Sequence, residues 1–308
     1  MLTPVKKLLK QRADFLNRTR EYFSQRDIIE VDTALLQTHS VTDPYMSAFK
    51  VSDPQGRFCG YLQTSPEYAM KKLICGGSGD IFQLSKMFRA NENSPIHAAE
   101  FTMLEWYRLG IDHHQLIKQV CEFIVFMSGK KQSELLTYQQ AFIRHLKIDP
   151  FSISHQDLQD KCRELVGDIP SDLLFDNLLT LLFSEQIESQ FDPNVITVIY
   201  DYPASQASLA KTRKVDGNQV ADRFEVYLAG VELANGFNEL TDANIQLQRF
   251  KEDNQIRRQL KLPEIDIDMT LIDALNQGLP DCAGVALGLD RLMMIVNNCQ
   301  SIKQVITV

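Results

Sequence analysis

Three glutamates recur at a constant interval in RFEVYLAGVELANGFNELTD: Glu225, Glu232 and Glu239. Carboxylates are oxygen donors suited to a magnesium ion or to an ammonium group. A heptad would line them along one helix face. However, Val226, Tyr227, Val231 and Phe237, interrupted by Gly230 and Gly236, are strand-and-turn composition. With Ala229-Gly230 as a hairpin turn, Glu225 and Glu232 fall diagonally across two strands on one face. Like charges so placed repel unless a cation lies between them. Mg²⁺ with substrate phosphates completing its shell would serve; the alternative is a solvated acidic face, which the apolar neighbours argue against. Glu239 has the opposite parity from Glu232 and joins that face only if Ala234-Asn235-Gly236 bulges.

Other residues invite the same question. In DIFQLSKMFRANENSPIHAAEFTMLEWYRLG, alternation sets Phe101, Met103, Glu105 and Tyr107 on one strand face, with Thr102, Leu104, Trp106 and Arg108 on the other. Glu105 between Met103 and Tyr107 either sits at a strand rim or meets a cation, and Arg89 beside the polar loop is in reach of a phosphate. In GVALGLDRL, Gly284 and Gly288 allow a flat ligand close to the backbone and Arg291 suits a terminal phosphate. The alternative there is close helix–strand packing with Asp290 as a cap. CGGSGD lacks the Lys-Ser/Thr of a phosphate loop and reads as a turn. His113-His114 has no third ligand in range and reads as surface; Ser208 has no His/Asp partner.

The elements that must position these residues follow from periodicity. Residues 3–26 read as an amphipathic helix and DIIEVDTALL as a short strand leaving it. In YLQTSPEYAMKKLI, Ser65 caps a helix, Pro66 suits its first turn and Glu67 its positive end. Residues 81–109 read as a long antiparallel hairpin. From about 112 to 190 the pattern is helical, including ELLTYQQAFIRHL, and reads as a helical insertion. NVITVIYDYP returns as a strand, a charged helix occupies about 242–260, and a small-residue strand runs into an apolar helix at the end. Antiparallel hairpins with helices outside them make the class α+β, in a single domain over 1–308.

Composition narrows the function classes. The net charge of −8 offers no global basic field for nucleic acid. The six cysteines are scattered without a C-x-x-C pair, as expected of reduced thiols rather than a zinc site. MLTPVKKLLKQRADFL is too polar for a signal peptide or membrane span, so a soluble cytoplasmic protein is expected.

Taken in order, IIEVDTALL, TSPEY, MFRANENSPIHAAEFTMLEWY, ELANGFNELTD and GVALGLDRL resemble the catalytic core of class II aminoacyl-tRNA synthetases, most closely the lysyl branch. The resemblance covers nearly the whole chain; the first, third and last of these segments look like that family's motifs 1, 2 and 3. Within the branch the sequence looks like the short paralogues that modify elongation factor P, the elongation factor P (R)-β-lysine ligases. Those lack an anticodon-binding domain, and here Met1 leads almost directly into the motif 1 helix. They carry alanines where lysyl-tRNA synthetases have pocket glycines, as Ala234 and Ala286 do here. A methyl is worth about 1–3 kcal/mol of discrimination, enough to disfavour α-lysine against an isomer with its amino group one carbon along.

The resemblance implies an ATP- and Mg²⁺-dependent ligase that forms a β-lysyl adenylate and transfers it to elongation factor P, working as a homodimer through motif 1 without anticodon recognition. It implies ATP contacts from Arg89, Ala90, Asn91, His97, Ala98, Phe101, Glu232, Leu233, Gly288 and Arg291, with Arg89 and Arg291 as the catalytic pair. Glu225 and Glu232 would hold Mg²⁺. Glu239 and Tyr107 would take the substrate's distal ammonium, Glu67 and Glu105 its other amino group, and Asn235 its carboxylate. Ser65, Pro66, Ala234 and Ala286 complete that pocket. Three departures stand out: Ala34 where motif 1 has proline, Ala98 where a polar residue is usual, and Asn91 where a glutamate reads adenine unless Glu92 takes its place. Alternatives are a lysyl-adenylate former acting on another acceptor and a non-catalytic synthetase-like regulator.

Overall fold

The structure is a computed structural model that describes residues 4–306. The first helix, Pro4–Ser24, starts on a proline whose missing N–H would be unpaired in any case. It buries Arg12, Phe15, Thr19, Tyr22 and Phe23, the stripe expected of an amphipathic helix. The expected first residue of that helix, Thr3, lies outside the described residues.

Among the described residues, nine strands form the main sheet. Along its path run Ile29–Glu30, Ile81–Phe88, Glu100–Leu109, Cys282–Gly288, Val231–Asn238, Asn218–Leu228, Val195–Pro203 and Gln132–Thr137, with Thr212–Val215 paired beside Asn218–Leu228. Pairing is antiparallel except at the two ends of the path, where Ile29–Glu30 and Gln132–Thr137 join in parallel. Helices flank it, so the α+β class holds. A small second sheet joins Leu36–Gln37, Phe58–Leu62 and Lys50–Ser52.

One face is mainly apolar. Phe82, Leu104, Trp106, Val285, Leu287, Phe224 and Val226 pack there against Phe15 and Phe23 of the first helix, Leu116, Val120 and Phe123 of His113–Ser128, and Leu292 of Leu289–Val296. The opposite face is covered only at its two ends. Helices Tyr138–Leu146 and Phe175–Leu182 pack on Ile199, Ala221 and Tyr227. At the other end Glu67–Cys75, Ala243–Gln259 and Met269–Gly278 pack on Ile81, Tyr107 and Cys282. The uncovered middle is where ligands can reach the sheet.

The segment 112–190 is not helical throughout. Glu134–Thr137, read as the start of a helix, belongs to Gln132–Thr137, and Thr137 then caps the following helix with a capping box. Its apolar Leu135 and Leu136 extend the sheet because they pair in register with Val198 and Ile199 of an already formed strand. His113–Ser128 is likewise part of the central core.

Candidate active site

Ala229 and Gly230 form the expected two-residue turn, both with positive φ (54° and 72°), the backbone of a type I′ hairpin. Beyond it Glu232 pairs with Tyr227, but Ala234 pairs with Val226, which leaves Leu233 as the extra residue. The bulge therefore falls at Leu233 and not at Ala234-Asn235-Gly236. Its effect is the one required: Asn235, Phe237 and Glu239 rejoin the face that carries Glu232. Gly236 is held flat for another reason, since a Cβ there would lie 2.9 Å from the Gly284 carbonyl oxygen and still closer to the Phe224 ring.

The register then draws one line across five strands: Gln83, Glu105, Ala286, Asn235 and Glu225 lie side by side. Ala286 thus stands between Glu105 and Asn235, as a pocket-wall methyl should. Ala234 does not. It borders the cavity described below, but it pairs with Val226 and Leu287 and its side chain joins the apolar cluster on the far face, so its main chain rather than its methyl faces the pocket.

A cavity of about 140 Å³ opens over the middle of this face. It brings together Arg89, His97, Ala98, Phe101, Glu232, Leu233, Ala234, Asn235, Ala286, Gly288 and Arg291. Arg89 donates through Nε to the Thr64 carbonyl (3.3 Å) and its guanidinium lies 5.2 Å from the centre of the Phe101 ring. Arg291 is held by the carbonyls of Ile96 (3.2 Å) and Glu232 (2.9 Å). His97 pairs with Ser94 Oγ at 2.7 Å, and burial followed by the Arg291 charge lowers its pKa, which keeps the ring neutral. Two arginines beside an aromatic face are what a nucleotide triphosphate requires.

Within the motif 2 loop the chain takes a left-handed turn at Asn91 (φ 67°), which leaves Asn91 exposed. Glu92 lines the cavity instead, 3.7 Å from Arg89. Asn91 is therefore corrected as a wall residue. Ala90 gives its N–H to the Ser47 carbonyl (2.8 Å) and is likewise not part of the wall.

Beside the cavity lies a buried acidic corner. Glu105 accepts from Tyr107 OH (2.7 Å) and Ser65 Oγ (2.9 Å), and Ser65 Oγ accepts the Glu67 N–H (3.1 Å). Pro66 occupies the residue before Glu67–Cys75, but Ser65 still accepts that helix's first N–H and at the same time ties the helix to the sheet through Glu105. Burial and the charge of Glu67 push Glu105 up to about 8. Glu239 is pushed up to about 7 by burial, although Lys71 opposes this. A Cβ on Gly284 would come within 2.3 Å of Tyr107 and 2.5 Å of Glu239 Oε1, so that glycine makes room for these two side chains rather than for a ligand.

The metal candidates differ from each other. Glu225 is saturated: Arg223 Nη2 lies 2.5 Å from Oε1, and Tyr202 and Tyr227 hydroxyls donate to Oε2 at 2.6 and 2.5 Å. The cation between glutamates is thus partly supplied by Arg223. Glu232, by contrast, takes no hydrogen bond or ion pair on its carboxylate among the described residues. Burial and the nearby Glu225 push it up to about 7, and Glu188, entering after a π turn at Phe183–Ile187, is pushed up to about 8 by burial and by Glu232. An unpaired carboxylate facing two others fits a divalent cation.

Several of these residues escaped sequence reasoning. Arg223 stands two positions before Glu225 on one strand face, and Lys71 four after Glu67 on one helix face, so spacing alone would have found both. Glu188, Tyr202 and Met46, the last of which also lines the cavity, carried no such signal. His113, read as surface, is 2% exposed, with Asp201 and Asp222 3.7 and 4.0 Å from its ring nitrogens. Arg213 bonds both aspartates (2.5 and 2.6 Å), so a positive charge already occupies that cluster and it reads as an ion-pair network.

A mainly antiparallel sheet with an exposed arginine-rich middle, flanked by motif-bearing hairpins, defines the catalytic core of a class II synthetase. The family described as tRNA synthetases class II (D, K and N) matches residues 2–307, and the chain belongs to it. It is a ligase of that class. Among curated proteins it is 44% identical, over 98% of this chain and 94% of each relative, to the elongation factor P–(R)-β-lysine ligases of Yersinia pestis (strain Pestoides F) and Yersinia pseudotuberculosis serotype O:1b (strain IP 31758). Among the described residues, no helix is long and apolar enough to cross a membrane.

Proposed function

We propose that this ligase activates (R)-β-lysine with ATP and transfers it to a lysine ε-amine of elongation factor P, in the cytoplasm and without anticodon recognition of tRNA. The observation that carries this reading is the line Glu105–Ala286–Asn235, which sets a methyl between a carboxylate and an amide beside a cavity holding two arginines. The near full-length similarity to ligases of that name supports the acceptor.

In the first step a carboxylate oxygen of the amino acid attacks the α-phosphorus of ATP in line and the bond to pyrophosphate breaks. Arg89 stabilises charge on the α-phosphate, Arg291 holds the terminal phosphate and Phe101 stacks on adenine. Glu105 and Glu67 accept the β-amino group, Glu239 and Tyr107 the distal ammonium, and Asn235 orients the carboxylate. In the second step the acceptor amine attacks the acyl carbon, an amide forms, AMP leaves and the amine gives up a proton. Glu232 would hold Mg²⁺, joined by Glu225 once one of its present donors gives way, and the ion's charge would neutralise the phosphates.

Pyrophosphate exchange measured with (R)-β-lysine, (S)-β-lysine and L-α-lysine tests the reading, followed by mass analysis of purified elongation factor P. The expected result is strongest exchange with (R)-β-lysine and one added lysyl mass. No exchange with any isomer refutes ligase chemistry at this site. Preference for L-α-lysine refutes the role of Ala286.

A homodimer through motif 1 belongs to the same reading. Ile29, Leu35 and Leu36 are 57%, 39% and 46% exposed, and Val5 and Leu9 on the first helix are also bare. Light scattering is expected to give twice the 35.2 kDa chain mass; a monomeric mass at micromolar concentration contradicts it.

A further inference from the structure

The acidic corner contains a lysine that the roles above leave unused. Lys71, one turn after Glu67 on the Glu67–Cys75 helix, is 1% exposed. Its Nζ lies 2.6 Å from Glu67 Oε1 and 2.6 Å from Glu239 Oε2, so one ammonium bridges a helix and the sheet. A charge buried this deeply persists only when paired. Burial works against the ammonium, but Glu239 and then Glu67 outweigh it and raise its pKa.

The charges can be counted. Once a cationic ligand ionises Glu105, whose burial otherwise favours the protonated form, Glu67, Glu105 and Glu239 bring three negative charges to the corner and Lys71 one positive charge. Two negative charges remain, which a ligand with two ammonium groups would neutralise. We propose that Lys71 is a positioning residue that sets both the net charge and the carboxylate spacing of the amino-acid pocket for a diammonium substrate. This rests on the reading that the pocket takes a lysine isomer, and it adds the residue that makes the pocket selective for two ammonium groups over one.

The titratable groups facing the Lys71–Glu239 pair are Glu67 and Cys75 from the same helix, Glu105 and Tyr107 from the neighbouring strand, Cys282, and Lys211. Burial raises both thiols and the phenol, which therefore stay neutral around neutrality. Only Glu105 and Glu239 change charge there. Without Lys71, Glu239 loses its nearest cation, binds a proton through neutral pH and no longer accepts from an ammonium. Raising the pH deprotonates it and restores the acceptor.

Lys71→Met and Lys71→Arg enzymes test this, by exchange kinetics and by calorimetric titration with cadaverine and with pentylamine at about pH 7 and about pH 9. One unit of upward pKa movement lowers the ionised fraction about tenfold. In Lys71→Met the KM for (R)-β-lysine is therefore expected to rise about tenfold at neutral pH with a much smaller change in kcat, and to recover at alkaline pH. Wild type should bind cadaverine more tightly than pentylamine. Lys71→Met should lose that preference at neutral pH, and Lys71→Arg should keep it. An equal loss at both pH values, as from damaged packing, overturns the proposal. So does an unchanged KM, or a wild type without preference for the diamine. If wild type exchanges with no lysine isomer, the proposed function falls, while the diamine titrations still decide the role of Lys71.

Discussion

Replacing Arg89 by alanine is expected to lower the rate of adenylate formation by about 10²–10³-fold, the cost of removing one preorganised donor from a developing anion. Arg89 leaves the Ile81–Phe88 strand with its N–H on the Ala99 carbonyl (2.9 Å), and its side chain is fixed by Thr64, Glu92 and the Phe101 ring. Such a donor is already aimed before ligand arrives, so its contribution falls on kcat rather than on affinity alone. Arg89→Lys keeps the charge but loses the planar fork and should recover only part of the rate. Single-turnover adenylate formation measures this, with thermal melting to show that the fold is intact. A loss below about fivefold would remove Arg89 from the chemistry.

Asp290→Ala is expected to cost about 3–5 kcal/mol of stability, because it leaves a buried guanidinium unpaired. Asp290 Oδ1 lies 2.7 Å from Arg12 Nη1, and Oδ2 accepts the Thr102 N–H at 2.7 Å. Arg12 also donates to Thr102 Oγ1 (2.7 Å) and the Val305 carbonyl (3.0 Å), so one ion pair ties the first helix, the central hairpin and the C-terminal helix together. Both side chains are almost wholly buried, and solvent cannot replace the missing partner. Urea unfolding measures the loss. Removing both charges, in Arg12→Met with Asp290→Leu, should recover much of it, since a pair of apolar side chains carries no desolvation cost. A single-mutant loss under about 1 kcal/mol would mean that water reaches the pair.

Asp290 illustrates the limit of local reading. From GVALGLDRL alone its one local role is the alternative of a helix cap; only the arrival of Arg12, 278 residues away in sequence, makes it the centre of a network. The same holds at His113, whose surroundings come from Asp201 and Asp222 on two distant strands. It holds too at Glu134–Thr137, where helix-compatible residues become strand because a partner strand is available.

The sequence by itself determined the faces and the chemistry. Period-two alternation put Glu105 and Tyr107 on one side and Trp106 on the other, and the Ala229-Gly230 turn set Glu225 and Glu232 on a common face. Both follow from nearest-neighbour backbone geometry, which any strand of these residues must obey. Tertiary structure alone decided the rest. It moved the bulge to Leu233, turned the Ala234 side chain into the core while its main chain still borders the pocket beside Ala286, and put Glu92 in the wall in place of Asn91. It also brought Lys71 between two carboxylates. The physical reason is that a bulge or a buried charge is stable only with a particular partner, and that partner is supplied by strand register and helix docking rather than by neighbours in the chain.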